Sequence, residues 1–201
     1  MNRRRLLLIP LAALALAGCD KIGLAGGGSK TVFSGVDISG ADYRYSLPDV
    51  DGRVRTNDDF KGKVTVVFFG YTQCPDVCPT TMAELAQVKK SLGADGDKLQ
   101  GVFITIDPER DLPATLKAYV GSFDPTFVAL RGTDEQTLAT AKNFKVFFAR
   151  SPGKTEGAYT MDHTAGAYVF DTAGRVRVFE RYGAGGPQAM AADVKALLRE
   201  G

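Results

Sequence analysis

The run Val64–Phe69 limits the possible folds of this chain more than any other segment. Its residues are apolar or β-branched, a pattern typical of a strand that is buried on both faces. Such strands occur in parallel or mixed sheets that helices cover. With 201 residues, of which 44% are hydrophobic and 24% charged, the chain is long enough for one globular domain with a sizeable core. The run therefore predicts an α/β domain built on a central strand.

Strands and helices are predicted to alternate along this domain. Residues 43–47 and 53–55 flank the turn dipeptide Asp51-Gly52 and predict an N-terminal hairpin. Apolar spacing and turn residues predict further elements: helices at 80–92, at 116–123, after a capping box at Thr133–Gln136 and from Pro187 onward, and strands at 99–106, 127–130, 146–149, 164–170 and 175–179. This order indicates an α/β fold with a mixed sheet and helices on both faces, and it resembles a thioredoxin-like fold with an inserted strand–helix segment.

The start of the chain is interpreted as a targeting signal. Three arginines at positions 3–5 precede an apolar run, 6–18, which is shorter than the roughly 20 residues of a membrane-spanning helix. The run ends in Leu16-Ala17-Gly18-Cys19, which resembles the lipobox of bacterial lipoproteins, where the chain is cut before the cysteine and the cysteine is acylated. The alternative is an ordinary signal peptide followed by an unrelated cysteine.

We therefore expect a lipoprotein signal peptide over 1–18, a lipidated Cys19 with a flexible Gly-rich tether over 19–35, and a folded domain over 36–201. Asp20 resembles the residue that keeps many lipoproteins on the inner membrane, which predicts a lipid-anchored domain on its periplasmic face. Without the three signal arginines, the 25 basic residues fall to 22 against 23 acidic ones. A nucleic-acid partner is not expected, because no net positive charge remains.

Two cysteines directly follow the central strand, in Cys74-Pro75-Asp76-Val77-Cys78-Pro79. The end of a strand and the start of the next helix form the ligand-facing edge of an α/β sheet. Pro79 suits the first position of a helix, so Cys78 is expected at or near the N-cap, where the helix dipole favours the thiolate. Cysteines with this spacing can form a disulfide or bind one metal ion, and spacing alone leaves both open. A purely structural disulfide would close too small a loop to stabilise much.

His163 is the only histidine of the chain, and it directly precedes the predicted strand 164–170. If this strand runs antiparallel to the central strand, it starts at the sheet edge from which Cys74 and Cys78 emerge. A lone histidine is more often a surface or core residue than a ligand, but this placement favours a ligand.

Two thiolates and one imidazole form a soft donor set that suits Cu(I) and, with one more donor, Cu(II). A closed zinc site is the competing interpretation, but it needs four ligands. Possible additional donors are Asp76, Asp162, Met82 and Met161. Each of them has an ordinary structural role that is favoured over metal binding: helix core for Met82, loop packing for Met161, and turns or capping for the two aspartates.

These motifs resemble the Sco/SenC family of thioredoxin-fold copper chaperones for cytochrome c oxidase assembly. The family's C-x-x-x-C-P matches 74–79, and its distal histidine matches His163 within Asp162-His163-Thr164. Residues 105–111 are similar to its V-D-P-E-R-D stretch, for which the alternative is a strand-end turn with Asp111 capping the next helix. The resemblance covers about 43–198. The predicted lipid anchor differs from the transmembrane helix of many family members.

The resemblance implies that Cys74, Cys78 and His163 bind one copper ion and deliver it to the binuclear copper site of a cytochrome c oxidase subunit. Residues 36–201 would then be a copper-binding domain without enzymatic activity. Its expected partners are that subunit, a periplasmic copper donor or thiol reductant, and the membrane.

The alternative is a thiol–disulfide oxidoreductase, with Cys74 and Cys78 as its redox-active pair, that keeps the cysteines of an exported or oxidase-subunit partner reduced. A peroxidase is less favoured, because the cationic or hydroxyl groups that it needs beside the cysteine are not located in the sequence.

Overall fold

The computed structural model describes residues 31–155 and 157–201. In chain order the strands are β1 (Val36–Asp37), β2 (Ser46–Pro48), β3 (Val54–Thr56), β4 (Val64–Gly70), β5 (Leu99–Thr105), β6 (Val128–Leu130), β7 (Phe148–Pro152), β8 (Tyr159–His163), β9 (Gly166–Phe170) and β10 (Val176–Arg181). The α-helices are α1 (Val77–Ser91), α2 (Pro113–Phe123), α3 (Asp134–Asn143) and α4 (Gly186–Glu200). The predicted signal peptide, Cys19 and most of the predicted tether lie outside the described residues. Within the described ranges, no helix is long and apolar enough to cross a membrane.

Strand β4 lies inside a six-stranded mixed sheet with the order β1-β10-β9-β4-β5-β6. Strands β4, β5 and β6 are parallel, whereas β9 runs antiparallel to β4, and β10 antiparallel to β9. Every residue of β4 is buried, as its apolar run predicts. The antiparallel pairing of β9 brings the start of β9 to the same edge as the end of β4.

Successive residues of β4 point to opposite faces of the sheet, and helices cover both faces. On one face Phe68 contacts Phe103 of β5, which in turn contacts Tyr119 of α2, and α1 packs between α2 and α4. On the other face Phe69 contacts Phe144, which immediately follows α3. The predicted fold, a thioredoxin-like mixed sheet with helices on both faces, is therefore confirmed.

The N-terminal hairpin is present as β2 and β3, which pair antiparallel around the predicted turn. It attaches to the free edge of β6, where Asp49 bridges Leu130 and the N–H of Arg131 donates to the carbonyl oxygen of Pro48 at 2.9 Å. The hairpin thus covers an edge strand that would otherwise expose unpaired backbone groups.

The predicted tether is too long at its C-terminal end. The N–H groups of Ser34 and Gly35 donate to the carboxylate of Asp193 in α4 at 2.9 and 3.0 Å. Asp193 is buried, and a buried carboxylate needs such partners. Residues 34–35 therefore belong to the folded domain rather than to a flexible linker.

A second hairpin, β7 and β8, is the largest departure from the sequence prediction. Its strands pair antiparallel in a two-stranded sheet of their own, with Phe148 opposite His163. The sequence predicts only a short strand at 146–149 and none at 159–163. The reason is that β8 has only five residues, of which Met161 alone is fully buried, so its alternation is too short to be recognised.

Candidate metal centre

The two cysteines lie on the segment that joins β4 to α1. Asp76 is the N-cap of α1, so Cys78 is the second helical residue and Pro79 the third, not the first as predicted. Proline fits there because the first N–H groups of a helix have no intrahelical partner, and its missing N–H therefore costs nothing. The free N–H of Cys78 instead donates to Sγ of Cys74 at 3.3 Å.

The Sγ of Cys78 occupies a space that exists only because residue 70 is glycine. A Cβ atom at Gly70 would lie 2.9 Å from Sγ of Cys78, 2.8 Å from Phe68 and 3.0 Å from Phe103. Cys78 is fully buried in this space, whereas Cys74 is partly exposed. The thiol pair is therefore asymmetric, with one sulfur facing the core and the other reaching solvent.

The two thiols also differ in acidity. The thiol of Cys78 donates a hydrogen bond to Cys74, and this bond is the largest cause that lowers the pKa of Cys74 to about 4. The pKa of Cys78 is raised above its ordinary value, because its thiol proton is held in the hydrogen bond to Cys74 and because the thiol is buried. The more accessible sulfur is thus the one that carries negative charge.

His163, the last residue of β8, brings its imidazole ring to the same edge of the sheet. Its Nε2 lies 3.6 Å from Sγ of Cys78, and its Nδ1 lies 3.0 Å from the carbonyl oxygen of Thr164. Since a carbonyl oxygen can only accept, the Nδ1–H of His163 donates to Thr164, and Nε2 is the ring nitrogen that faces the sulfurs. The ring also has edge contacts with Phe68 and Tyr71, which hold its orientation.

One ligand atom from each of Cys74, Cys78 and His163 lies within 4.8 Å of the other two. Atoms this close can bind a single ion after small side-chain adjustments. Two sulfurs and one nitrogen form a soft donor set, and the carbonyl that fixes Nδ1 is the outer contact usual for a histidine ligand. These residues fit a copper ion with low coordination.

Each of the other possible donors has a structural environment of its own. Asp76 is exposed and its carboxylate accepts from Thr80, while Asp162 is exposed and accepts from Ser151. Met82 and Met161 are buried in the hydrophobic core. In the described part of the chain, the group of residues at this edge that could hold a metal ion includes no carboxylate.

The segment 105–111 supports the cysteine loop, a role that the sequence pattern does not predict. Asp111 is fully buried and accepts from the N–H and the hydroxyl of Thr72 at 3.1 and 2.6 Å, and from the hydroxyl of Thr105 at 2.6 Å. It does not cap the following helix, since the N-cap of α2 is Leu112. The capping alternative is therefore wrong. The charge spacing of the motif was visible in the sequence, but the direction of its side chains was not.

Comparison with known proteins places these features in one family. A family model described as SCO1/SenC matches residues 38–199. A SCO2-like protein of Rickettsia felis is 36% identical over 132 residues, which are 65% of this chain and 64% of that protein. The alignment thus spans less than two thirds of that curated relative.

Solved structures resemble the chain over most of its length. The copper-bound ScoI of Bradyrhizobium japonicum is 42% identical with a TM-score of 0.69, covering 77% of this chain and 98% of that one. A SCO1/SenC family lipoprotein of Bacillus anthracis is 25% identical with a TM-score of 0.66, covering 80% of this chain and 96% of that one. By its sequence match, its fold and its Cys-Cys-His group, the chain belongs to the SCO1/SenC family.

Proposed function

We propose that this protein is a copper chaperone that binds one copper ion through Cys74, Cys78 and His163. The observation that carries the proposal is the convergence of two sulfurs and one imidazole nitrogen within 4.8 Å. The copper-bound ScoI of Bradyrhizobium japonicum, with 42% identity, supports copper as the cargo. In this proposal the protein is a carrier and not an enzyme.

The recipient that we propose is the binuclear copper site of a cytochrome c oxidase subunit. A site with three donors leaves a position on the ion for an incoming ligand. Cys74 is the accessible donor, so an acceptor thiolate can bind the ion before Cys74 releases it. Buried Cys78 would be the last sulfur to let go. A periplasmic copper donor or thiol reductant would prepare the site for the next cycle.

The proposed location is the periplasmic face of the inner membrane, with acylated Cys19 as the anchor. The lipobox Leu16-Ala17-Gly18-Cys19 supports it, as does the existence of a lipoprotein in the same family. Mass spectrometry of the protein purified from membranes tests it: acylation on Cys19 supports the proposal, and an uncleaved or unmodified N-terminus contradicts it.

Copper binding is tested by anaerobic titration of the reduced protein against a competing chelator. The whole chain with Cys19→Ser, in detergent, leaves only the two site thiols. We expect one tightly bound Cu(I) per chain, and weaker binding in Cys74→Ser, Cys78→Ser and His163→Ala. A circular dichroism spectrum of Cys78→Ser that matches the parent spectrum shows that this variant is folded. Binding that is weak, or that is unchanged by all three substitutions, contradicts the proposal.

A second function, thiol–disulfide oxidoreductase, is favoured by the asymmetry of the cysteines. The Cys74 thiolate would attack a partner disulfide and form a mixed disulfide, and Cys78 would then attack Sγ of Cys74 and release the partner dithiol. Two electrons pass to the partner, and the Cys74–Cys78 disulfide remains until an external dithiol reduces it. This cycle gives no ligand role to His163.

The two functions are separated by the His163→Ala variant. If the protein is a carrier, this variant loses copper affinity. If it is a reductase, the parent protein reduces partner disulfides and His163→Ala still does so, because the cycle needs only the two cysteines. The reaction is followed by thiol trapping of a peptide that contains the two cysteines of an oxidase copper site.

A further inference from the structure

Arg110 contacts both halves of the candidate metal centre. Its Nη1 donates to the carbonyl oxygen of Tyr159 at 2.9 Å and to Oε1 of Gln73 at 3.2 Å. Gln73 directly precedes Cys74, and Tyr159 begins β8, the strand that ends at His163. One guanidinium group therefore joins the segment that carries the cysteines to the hairpin that carries the histidine.

The ring of Tyr159 and the carboxylate of Asp107 hold this guanidinium in place. The Arg110 group stacks on the ring of Tyr159 at 3.5 Å from its centroid, and its Nε pairs with Asp107. Asp107 is buried and also accepts from the hydroxyl of Tyr159 at 2.9 Å. The three side chains thus form a closed set in which each contacts the other two, and we call this set the Arg110 clasp.

The β7–β8 hairpin needs such an attachment because it is not part of the main sheet. Its backbone hydrogen bonds pair β7 with β8 and do not extend to β4, β5 or β9. Hairpins of two strands are marginally stable by themselves. Pairing of β9 with β4 brings His163 to this edge of the sheet, and side-chain contacts that fasten the hairpin to the domain then set how closely it approaches Cys78.

We propose that Arg110 is a positioning residue that sets metal affinity by holding the His163 hairpin against the cysteine segment. This inference rests on the proposed copper-binding function and assigns a role to a residue that touches no ligand atom. Substitution of residues behind metal ligands typically changes metal affinity by about 10–100-fold. We expect an effect of that size for Arg110→Met, which keeps side-chain length but removes the donors and the charge.

The clasp itself is tested in the metal-free protein by hydrogen–deuterium exchange. We expect Arg110→Met to speed amide exchange in 148–163 while exchange in β4 and β5 is unchanged. Arg53→Met, on an exposed side chain of the N-terminal hairpin, is the matched control. Unchanged exchange in 148–163 overturns the clasp, and this result does not depend on whether the protein binds copper.

The link to the metal is tested by a double-mutant cycle with His163. Copper affinity is measured for the Cys19→Ser chain, Arg110→Met, His163→Ala and the double variant. Because the clasp acts through His163, Arg110→Met should weaken Cu(I) binding about 10–100-fold in the parent and within about twofold in His163→Ala. An equal loss in both backgrounds overturns the positioning role. A parent that binds no copper overturns the proposed function instead.

Two further variants keep the test informative. Arg110→Lys retains the charge but cannot reproduce the planar contacts to Gln73 and Tyr159, so a loss of affinity here assigns the effect to geometry. Full retention of affinity would assign it to charge and overturn the clasp.

Should Arg110→Met fail to fold, Tyr159→Leu removes the stacked ring from β8 instead. It should produce the same background-dependent loss of copper affinity, and no such loss would contradict the proposal.

Discussion

Cys78 Sγ and His163 Nε2 lie 3.6 Å apart although 85 positions separate the two residues in the chain. The contact arises because β9 pairs antiparallel with β4, with Ala167 opposite Phe68. The residues just before β9 then meet the residues just after β4. This strand pairing therefore brings Cys78 and His163, which are distant in the chain, to the same edge of the sheet.

Gly70→Ala should destabilise the protein and weaken copper binding. The added Cβ would meet Sγ of Cys78 and the rings of Phe68 and Phe103 at 3.0 Å or less, so the cysteine must move. Overpacking of this kind typically costs about 1–3 kcal/mol. Thermal unfolding and chelator competition measure the two effects.

Gly121→Ala is the control for this prediction. Gly121 lies inside α2, and nothing lies within 4 Å of a Cβ built there. Alanine should therefore stabilise the helix by up to about 1 kcal/mol. A Gly70→Ala variant as stable as the parent would show that the pocket around Cys78 can expand.

Cys74 should react with iodoacetamide at an unusually low pH. Its pKa is lowered to about 4, chiefly by the hydrogen bond from Cys78, so the thiolate persists down to that pH. In the Cys19→Ser chain, the alkylation rate should have its midpoint near pH 4 and fall at lower pH, with the label on Cys74 alone. Mass spectrometry locates the label.

Cys78→Ala should move this midpoint upward, toward the ordinary thiol value of 9.0, because the donor is gone. A parent protein that alkylates only near that ordinary value would contradict the hydrogen-bonded thiol pair.

Asp111→Ala should be among the more destabilising substitutions of a charged residue in this domain. It leaves the N–H and hydroxyl of Thr72 and the hydroxyl of Thr105 without their acceptor. Thr105 is fully buried, so its unsatisfied hydroxyl costs about 1–3 kcal/mol, whereas the groups of half-buried Thr72 cost less because water can reach them. Chemical denaturation should therefore show a loss of at least about 1–3 kcal/mol.

Asp95→Ala removes a carboxylate whose ion pair with Lys98 is exposed, and such pairs contribute about 0–1 kcal/mol. Asp95→Ala should therefore leave the free energy of unfolding nearly unchanged. Equal losses for the Asp111 and Asp95 variants would refute the supporting role of Asp111.

Glu180 should make stability fall as the pH rises from about 4.5 to about 8. Burial, and next the neighbouring Asp193, raise the pKa of Glu180 from 4.5 to about 8 in the folded state. Between these values the folded protein keeps a proton that the unfolded chain has lost, so a higher pH favours unfolding, by at most about 1.4 kcal/mol per pH unit.

Glu180→Gln keeps a donor for Asp193 without the titration. Denaturation curves for both proteins should therefore converge near pH 4.5, and the parent should become relatively less stable above it. Parallel curves across this range would contradict the raised pKa.

The buried run 64–69 was enough to predict the central strand, and helical spacing and the capping box at Thr133 predicted the helices around it. These features are readable because burial repeats with the period of the element. The cysteine motif and His163 are recognisable as candidates for a different reason: residues with their chemistry are rare in this chain, which has a single histidine. Their residue types and spacing are therefore enough to predict a metal site.

Tertiary structure alone decided how these residues meet. Strand β8 is too short for its alternation to be recognised in the sequence, because Met161 is its only fully buried residue. Its attachment through Arg110 depends on where side chains of separate segments point. Likewise, Asp111 reads as a helix cap in sequence but turns inward to Thr72 in the folded chain. Local patterns determine elements and candidate chemistry, whereas contacts between distant segments determine which polar side chains face each other, because those contacts form only when the sheet is assembled.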